Sequence, residues 1–321
     1  MSPPILAPEW QELEKVLGSR PLLKGSPEDI ISQFNGLMAV LASSRPSPDP
    51  SVETRDTVIK GINCRVYMPS RINFQGDLPL GVYAHGGGFV CGDLESEDFL
   101  CRAIAGAAFC IIVSVDYRLG PQYKLPIMLD DVLSVYSWLR DNARQFGADP
   151  SKLFSIGGSA GGGLALGIAN HFAQQPDGHK HIHGVVAMVP VTLHWNNIPS
   201  EYQEHYSSYR ENAENVPIID KPTMESFFDA VNADPKDSSI FTALSPHHAK
   251  FPPTYICTCG ADPLRDDGTV MEKALRKAGV PTKLTEYPNL PHYFWIFPDL
   301  EATKKFINDT IAGVKWVISE M

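Results

Sequence analysis

Long apolar runs are missing from this chain of 321 residues. None approaches the roughly 20 residues that a bilayer-spanning helix needs, which excludes a helical membrane protein. Positive charge is scarce, with 27 Lys and Arg against 37 Asp and Glu, a formal net charge of −10. No basic cluster offsets that balance, which argues against a nucleic-acid surface and mildly disfavours anionic substrates by long-range repulsion. Cysteine is sparse as well. Cys64, Cys91, Cys101, Cys110, Cys257 and Cys259 show neither the spacing of a zinc ribbon nor a disulfide framework, and are expected as buried thiols of a reducing compartment. Met1 to Gln11 lacks the charged start and apolar centre of a signal peptide, so the expected location is cytoplasmic. No G-x-G-x-x-G opens a first βαβ unit, which removes a dinucleotide-binding dehydrogenase from consideration. His179, His181 and His183 lack carboxylate or cysteine partners at a metal-binding spacing and read as a solvated turn. His247 and His248 receive no role.

What is present is the rhythm of an α/β protein. The 43% apolar and 20% charged content is that of an ordinary globule, and its length suits one body with an inserted subdomain. Arg55 to Tyr67 reads as antiparallel edge strands. Continuous apolar runs follow at Leu80–Ala84, Phe109–Val115, Leu153–Ile156, Val185–Val189 and Thr254–Cys259. Such runs imply strands buried on both faces. Helical stretches alternate with them at 95–108, 126–145, 160–174, 268–278 and 300–318, which predicts a mostly parallel sheet flanked by helices. Two further helices are expected before the first strand, over Trp10–Leu17 and Pro27–Leu41, followed by a Pro/Ser-rich connector from Ser43 to Ser51. The stretch from His194 to Lys250 breaks the rhythm. It is polar and aromatic, with Trp195, Tyr202, Tyr206, Tyr209, Phe227 and Phe228, and is expected to form a lid, the alternative being surface helices on the sheet.

One stretch stands out. The apolar run Leu153–Ile156 feeds Gly157-Gly158-Ser159-Ala160-Gly161, and a run of small apolar residues follows. This is G-x-S-x-G between a strand and a helix. A serine on so tight a turn has strained backbone angles, and residues two before and two after it crowd the neighbouring elements, so Gly157 and Gly161 have no Cβ to clash. Alone, the stretch is compatible with a nucleophile elbow and with a Gly-rich helix start. The strand ending at Ala84 then supplies a second signal, His85-Gly86-Gly87-Gly88-Phe89. Successive glycines let bare backbone N–H groups approach a substrate carbonyl and stabilise a developing oxyanion.

These motifs, together with Asp116-Tyr117-Arg118-Leu119-Gly120-Pro121, Asp130-Asp131 and Asp262-Pro263-Leu264-Arg265-Asp266-Asp267-Gly268, resemble the hormone-sensitive-lipase family of α/β-hydrolases, also called type IV carboxylesterases. Among its members the chain is similar to fungal esterases that act on secondary metabolites. The resemblance covers roughly residues 60 to 320. It implies an α/β-hydrolase fold with a helical cap: residues 1–50 as N-terminal cap helices, 51–193 and 246–321 as the core, and 194–245 as a cap insertion. The family's chain order of Ser, acid and His implies Ser159 as nucleophile, Asp262 as orienting acid and His292 as base. Asp262 is the first residue after the strand Thr254–Cys259 and its Gly260-Ala261 extension, and His292 lies in the loop after Thr282–Tyr287. Asp266 and Asp267 are read as the acidic start of the next helix.

Matched by position, the implied oxyanion hole comprises Gly86, Gly87, Gly88 and Ala160, with Gly86 shaping the loop. His85 and Asp116-Tyr117-Arg118 are expected to brace that loop. The sequence departs from the family pattern at Gly158, often Asp, and at Tyr293, often Gly. The implied activity is hydrolysis of small to medium carboxylic esters through an acyl-enzyme, with no cofactor or metal and with a small-molecule ester as partner, in a monomer or homodimer. An acyltransferase or lactone-forming enzyme that uses the same three residues is the alternative. A ligand-binding protein on this scaffold is disfavoured by the intact Ser159, Asp262 and His292.

Overall fold

In the computed structural model, residues 5–44, 47–70 and 76–321 are described. Residues 1–4 of the Met1–Gln11 segment, and residues 45–46 of the expected connector, lie outside them. Two helices come first, α1 (Pro8–Leu17) and α2 (Pro27–Ala42). The second starts on a capping box in which Ser26 and Asp29 satisfy one another's backbone N–H groups. Strands β1 (Val52–Ile59) and β2 (Ile62–Pro69) form a hairpin, as the alternating sequence predicts.

The body of the chain then alternates as β3 (Leu78–Ala84), α3 (Asp98–Ala108), β4 (Ile111–Val115), α4 (Ile127–Asn142), β5 (Ala148–Gly158), α5 (Ala160–Ala173) and β6 (Gly184–Met188). After two short helices, α6 (Ser208–Glu211) and α7 (Lys221–Ala230), it resumes with β7 (Thr254–Ala261), α8 (Arg265–Lys277), β8 (Thr282–Pro291) and α9 (Glu301–Ser319). The eight strands make one sheet in the order β1-β2-β4-β3-β5-β6-β7-β8. Both pairings of β2 are antiparallel and all those beyond β4 are parallel. Strands β4 and β6 are buried along their whole length, as continuous apolar runs require.

Several boundaries differ from the sequence reading, three of them for a clear local reason. Phe109 does not open β4, because it closes α3 in the left-handed region at φ 54°. Helix α8 begins at Arg265, three residues before Gly268, because Leu264 already turns off the end of β7. Strand β8 continues to Pro291, with a bulge opposite Cys259 and Ala261. His292 therefore follows the strand directly.

The six cysteines are free and buried. No helix among the described residues is long and apolar enough to cross a membrane. Helix α5 runs beneath the sheet's central strands with all but one of its residues buried, and its N-terminus lies at the carboxyl ends of β3, β5 and β6. In open α/β sheets that edge is where ligands bind.

Candidate active site

Strand β5 ends at Gly158 and α5 begins at Ala160, so a single residue, Ser159, makes the whole turn. Its backbone sits at φ 55°, ψ −120°, a region that non-glycine residues rarely adopt. The surroundings hold it there. Its N–H donates to Met188 O at 2.8 Å, and its carbonyl accepts from Gly163 N–H at 3.0 Å and Val191 N–H at 3.2 Å. Gly157 and Gly161 leave room for the turn: a Cβ on Gly161 would lie 2.0 Å from Ala84 O, and one on Gly157 2.3 Å from Gly161 O.

The Ser159 hydroxyl, the His292 ring and the Asp262 carboxylate meet here from three separate elements. The Ser159 Oγ–H points to His292 Nε2 at 2.9 Å, and His292 Nδ1–H donates to Asp262 Oδ2 at 2.7 Å. All three are buried, Asp262 completely. The carboxylate is anchored through Oδ1, which accepts Leu264 N–H at 2.8 Å, while Asn212 from the insertion donates to the Asp262 carbonyl at 3.0 Å. An acceptor-only carboxylate on Nδ1 fixes the imidazole tautomer that leaves Nε2 free to take a proton from a hydroxyl.

The glycine loop stands opposite. His85, fully buried, follows β3 directly, and its ring stacks on Tyr117 at 4.2 Å. Burial depresses its pKa, so the imidazole is neutral and its Nδ1–H donates to Gly86 O at 2.8 Å. The Tyr117 hydroxyl donates to His85 O at 2.7 Å. Of the four residues expected to brace the loop, His85 and Tyr117 do so directly. Arg118 grips Asp131 in a bidentate pair instead, and Asp116 accepts from Asn63.

Gly86 is engaged elsewhere, because its N–H donates to Glu97 Oε2 at 3.0 Å. Among the described residues the N–H groups of Gly87 and Gly88 have no protein partner, and that of Ala160 opens α5, where helix geometry provides none. Gly87 reaches its position only at φ 118°, where a Cβ would strike Cys91 O at 2.2 Å.

A cleft opens over Ser159 and His292. Its apolar wall comes from the α1–α2 link (Leu23), from α2 (Phe34, Leu37) and from the insertion (Ile218, Ile219, Phe227). Of the six insertion aromatics expected at a lid, only Phe227 lines this cleft. Trp195 and Phe228 stack with His194 away from it. The insertion is tied to the core by two acidic residues read from sequence as a helix start. Asp266 and Asp267 do lie in the first turn of α8. Their carboxylates, however, accept from the backbone N–H groups of Ser207 and Ser208, and from those of Thr192 and Leu193, with the Tyr206 hydroxyl also donating to Asp267. Burial outweighs these donors and pushes Asp267 up to about 8. Sequence reasoning missed Glu97, whose only signal was an acidic residue among polar ones before α3.

Comparison with known proteins agrees with the geometry. The sequence profile of an alpha/beta hydrolase fold family matches residues 81–296. A versiconal hemiacetal acetate esterase of Dothistroma septosporum is 42% identical over 316 residues, spanning 98% of this chain and 96% of that protein. The crystal structure of a vibralactone cyclase superposes with a TM-score of 0.87 at 31% identity, over 98% of this chain and 96% of that one. The Pyrobaculum calidifontis esterase does so with a TM-score of 0.81 at 28% identity, over 98% and 100%. An eight-stranded sheet with its serine elbow, its glycine loop and these relatives all lead to one conclusion: the chain belongs to the α/β-hydrolase family.

Proposed function

We propose that this protein is a serine carboxylic ester hydrolase in which Ser159 is the nucleophile, His292 the general base and acid, and Asp262 the residue that orients the imidazole. The observation that carries the proposal is the unbroken chain of contacts from Ser159 Oγ through His292 to Asp262, at 2.9 and 2.7 Å. Ser159 Oγ attacks the ester carbonyl as its proton passes to His292 Nε2. The carbonyl oxygen becomes an oxyanion held by the N–H groups of Gly87, Gly88 and Ala160, while Gly86 shapes the loop through Glu97. The alcohol then leaves with the proton from Nε2, and an acyl-enzyme remains. Water loses a proton to the same nitrogen as it attacks, and Ser159 is released with the free acid.

Residues 5–44 and 194–245 form the cap in this reading, because their side chains wall the cleft that the core leaves open. The wall is apolar, which favours esters whose acyl or alcohol group is apolar. The name of the Dothistroma relative gives a hemiacetal acetate as its own ester, and we extend only that class, acetate or another short acyl ester, to this chain. Six buried, free thiols fit a reducing compartment such as the cytoplasm.

Ser159→Ala should abolish turnover of p-nitrophenyl acetate and leave the circular dichroism spectrum unchanged. A variant that still hydrolyses the ester at the native rate removes Ser159 from the mechanism.

The likeness to a vibralactone cyclase favours a second reading. The same acyl-enzyme could be captured by a hydroxyl of the substrate itself to close a lactone. Partitioning of the acyl group between water and an added alcohol separates the two, since a hydrolase yields acid and a cyclising or transferring enzyme yields ester.

A further inference from the structure

The two positions at which the sequence departs from its family's pattern, Gly158 and Tyr293, touch one another. Tyr293 follows His292 and holds φ 55°, an unusual conformation for an aromatic residue. Its ring packs on Trp295 at 4.4 Å between centroids, and Trp295 in turn stacks flat on Phe306 at 3.9 Å. So wedged, the Tyr293 hydroxyl reaches between the glycine loop and the serine elbow. A Cβ on Gly158 would lie 2.2 Å from that oxygen, and a Cβ on Gly86 would also lie 2.2 Å from it. The two glycines face each other, since the Gly86 Cβ would come 3.2 Å from Gly158 O.

Glu97 faces the same hydroxyl. It is buried, stands at the N-terminal boundary of α3 and accepts the Gly86 N–H at 3.0 Å. Burial, and then the Glu97 charge, hold the Tyr293 phenol well above its ordinary pKa, so the group is a neutral O–H donor. Tyr83 on β3 is held neutral in the same way, with Glu97 the charge it feels most.

We infer that Tyr293 is a positioning residue for the oxyanion loop: its hydroxyl fills the space left by Gly86 and Gly158 and, with Glu97, sets Gly87 and Gly88 at a fixed distance from Ser159. A residue other than Gly at 158 and a Tyr at 293 are mutually exclusive, because both need the same volume. The inference rests on the assignment of Ser159 and the oxyanion donors given above.

The test is a double-mutant cycle with Gly158→Asp, Tyr293→Gly and their combination, joined by Tyr293→Phe as the variant least able to disturb folding. Steady-state kinetics on p-nitrophenyl acetate are read beside the affinity for a trifluoromethyl ketone, whose hemiketal oxygen occupies the oxyanion site. Gly158→Asp alone should lower kcat about 100-fold, as expected for displacement of the donors by about 1 Å, with KM within about three-fold. The double variant should recover at least about ten-fold over Gly158→Asp, a strong departure from additivity for residues in contact. Tyr293→Phe should weaken the ketone by about five-fold or more at unchanged thermal midpoint, because it removes the O–H that the loop is built around while keeping the ring.

A double variant no more active than Gly158→Asp, or a Tyr293→Phe enzyme that binds the ketone with native affinity, overturns the inference. Labelling of the native enzyme by a fluorophosphonate separates this from the reading beneath it. Failure to label Ser159 defeats the assigned site itself, whereas labelling with an uncompensated cycle defeats only the role of Tyr293.

Discussion

Replacing Gly161 by alanine tests the packing that lets a serine stand on so sharp a turn. The added Cβ would lie 2.0 Å from Ala84 O and 2.5 Å from His85 O, where ordinary contact begins at 3.4 Å. The shortfall against Ala84 O is therefore 3.4 − 2.0 = 1.4 Å. Both oxygens are main chain, so no side chain can rotate away. Ala84 is also fixed from both sides, paired with Val115 on β4 and Gly157 on β5. The clash can be relieved only by parting the serine elbow from the glycine loop, by on the order of 1 Å.

A misplacement of that size at a reacting centre costs about 100-fold in rate. The overpacking costs about 1–3 kcal/mol of stability, a fall of roughly 1.5–4.5 °C in Tm for a chain of this size. The assay is kcat/KM on p-nitrophenyl acetate, together with thermal melting followed by circular dichroism. Gly36→Ala provides the comparison, because no atom lies within 4 Å of its new Cβ and the site is an exposed position inside α2. That variant should melt at or slightly above the native temperature, since alanine favours a helix interior by about 0.5–1 kcal/mol. A Gly161→Ala enzyme with native activity and native Tm would refute the steric argument.

Three further outcomes follow from other parts of the structure. Asp262→Asn should lower kcat by up to about 10,000-fold with little change in KM, because an amide on Nδ1 permits the wrong imidazole tautomer; a loss under ten-fold would show that Asp262 does not orient His292. Asp267 is held at about 8 by burial, above its unfolded value near 3.8, so the native state loses stability as pH rises from about 4 to about 8, with a limiting slope of about 1.4 kcal/mol per pH unit. Asp267→Asn keeps an oxygen for Thr192 and Leu193 and should flatten that decline; urea midpoints that fall equally with pH in both proteins would contradict this. Phe227→Ala should shift preference towards longer acyl chains, by about four-fold in relative kcat/KM per methylene accommodated, and an unchanged chain-length profile would place Phe227 outside the substrate's path.

Much of the site is readable in the sequence because it resides in short, contiguous motifs. A strand, a turn and a helix around Ser159, a glycine triplet after β3, and an acid and a histidine at the ends of β7 and β8 are each local signals. The structure gathers them because parallel strands all deliver their carboxyl ends to one edge. What stayed hidden depends on contacts between residues far apart in the chain. Glu97 holds Gly86 from the start of a different helix, and nothing near it in sequence marks that task. The aromatic insertion reads as a lid, yet Trp195 and Phe228 spend their rings on His194, while aliphatic residues of the N-terminal segment and of the insertion wall the cleft. Asp266 and Asp267 fit a helix start, but burial, the Ser207 and Ser208 N–H groups and the Tyr206 hydroxyl reveal a second task, anchoring the insertion.

The proposed mechanism requires Ser159 Oγ to be the reacting atom. Intact-mass analysis after brief exposure to a fluorophosphonate, followed by peptide mapping, measures this directly. One adduct per chain on Ser159, lost in His292→Ala, is the expected result. An active enzyme that takes no adduct, or takes it on another residue, contradicts the account.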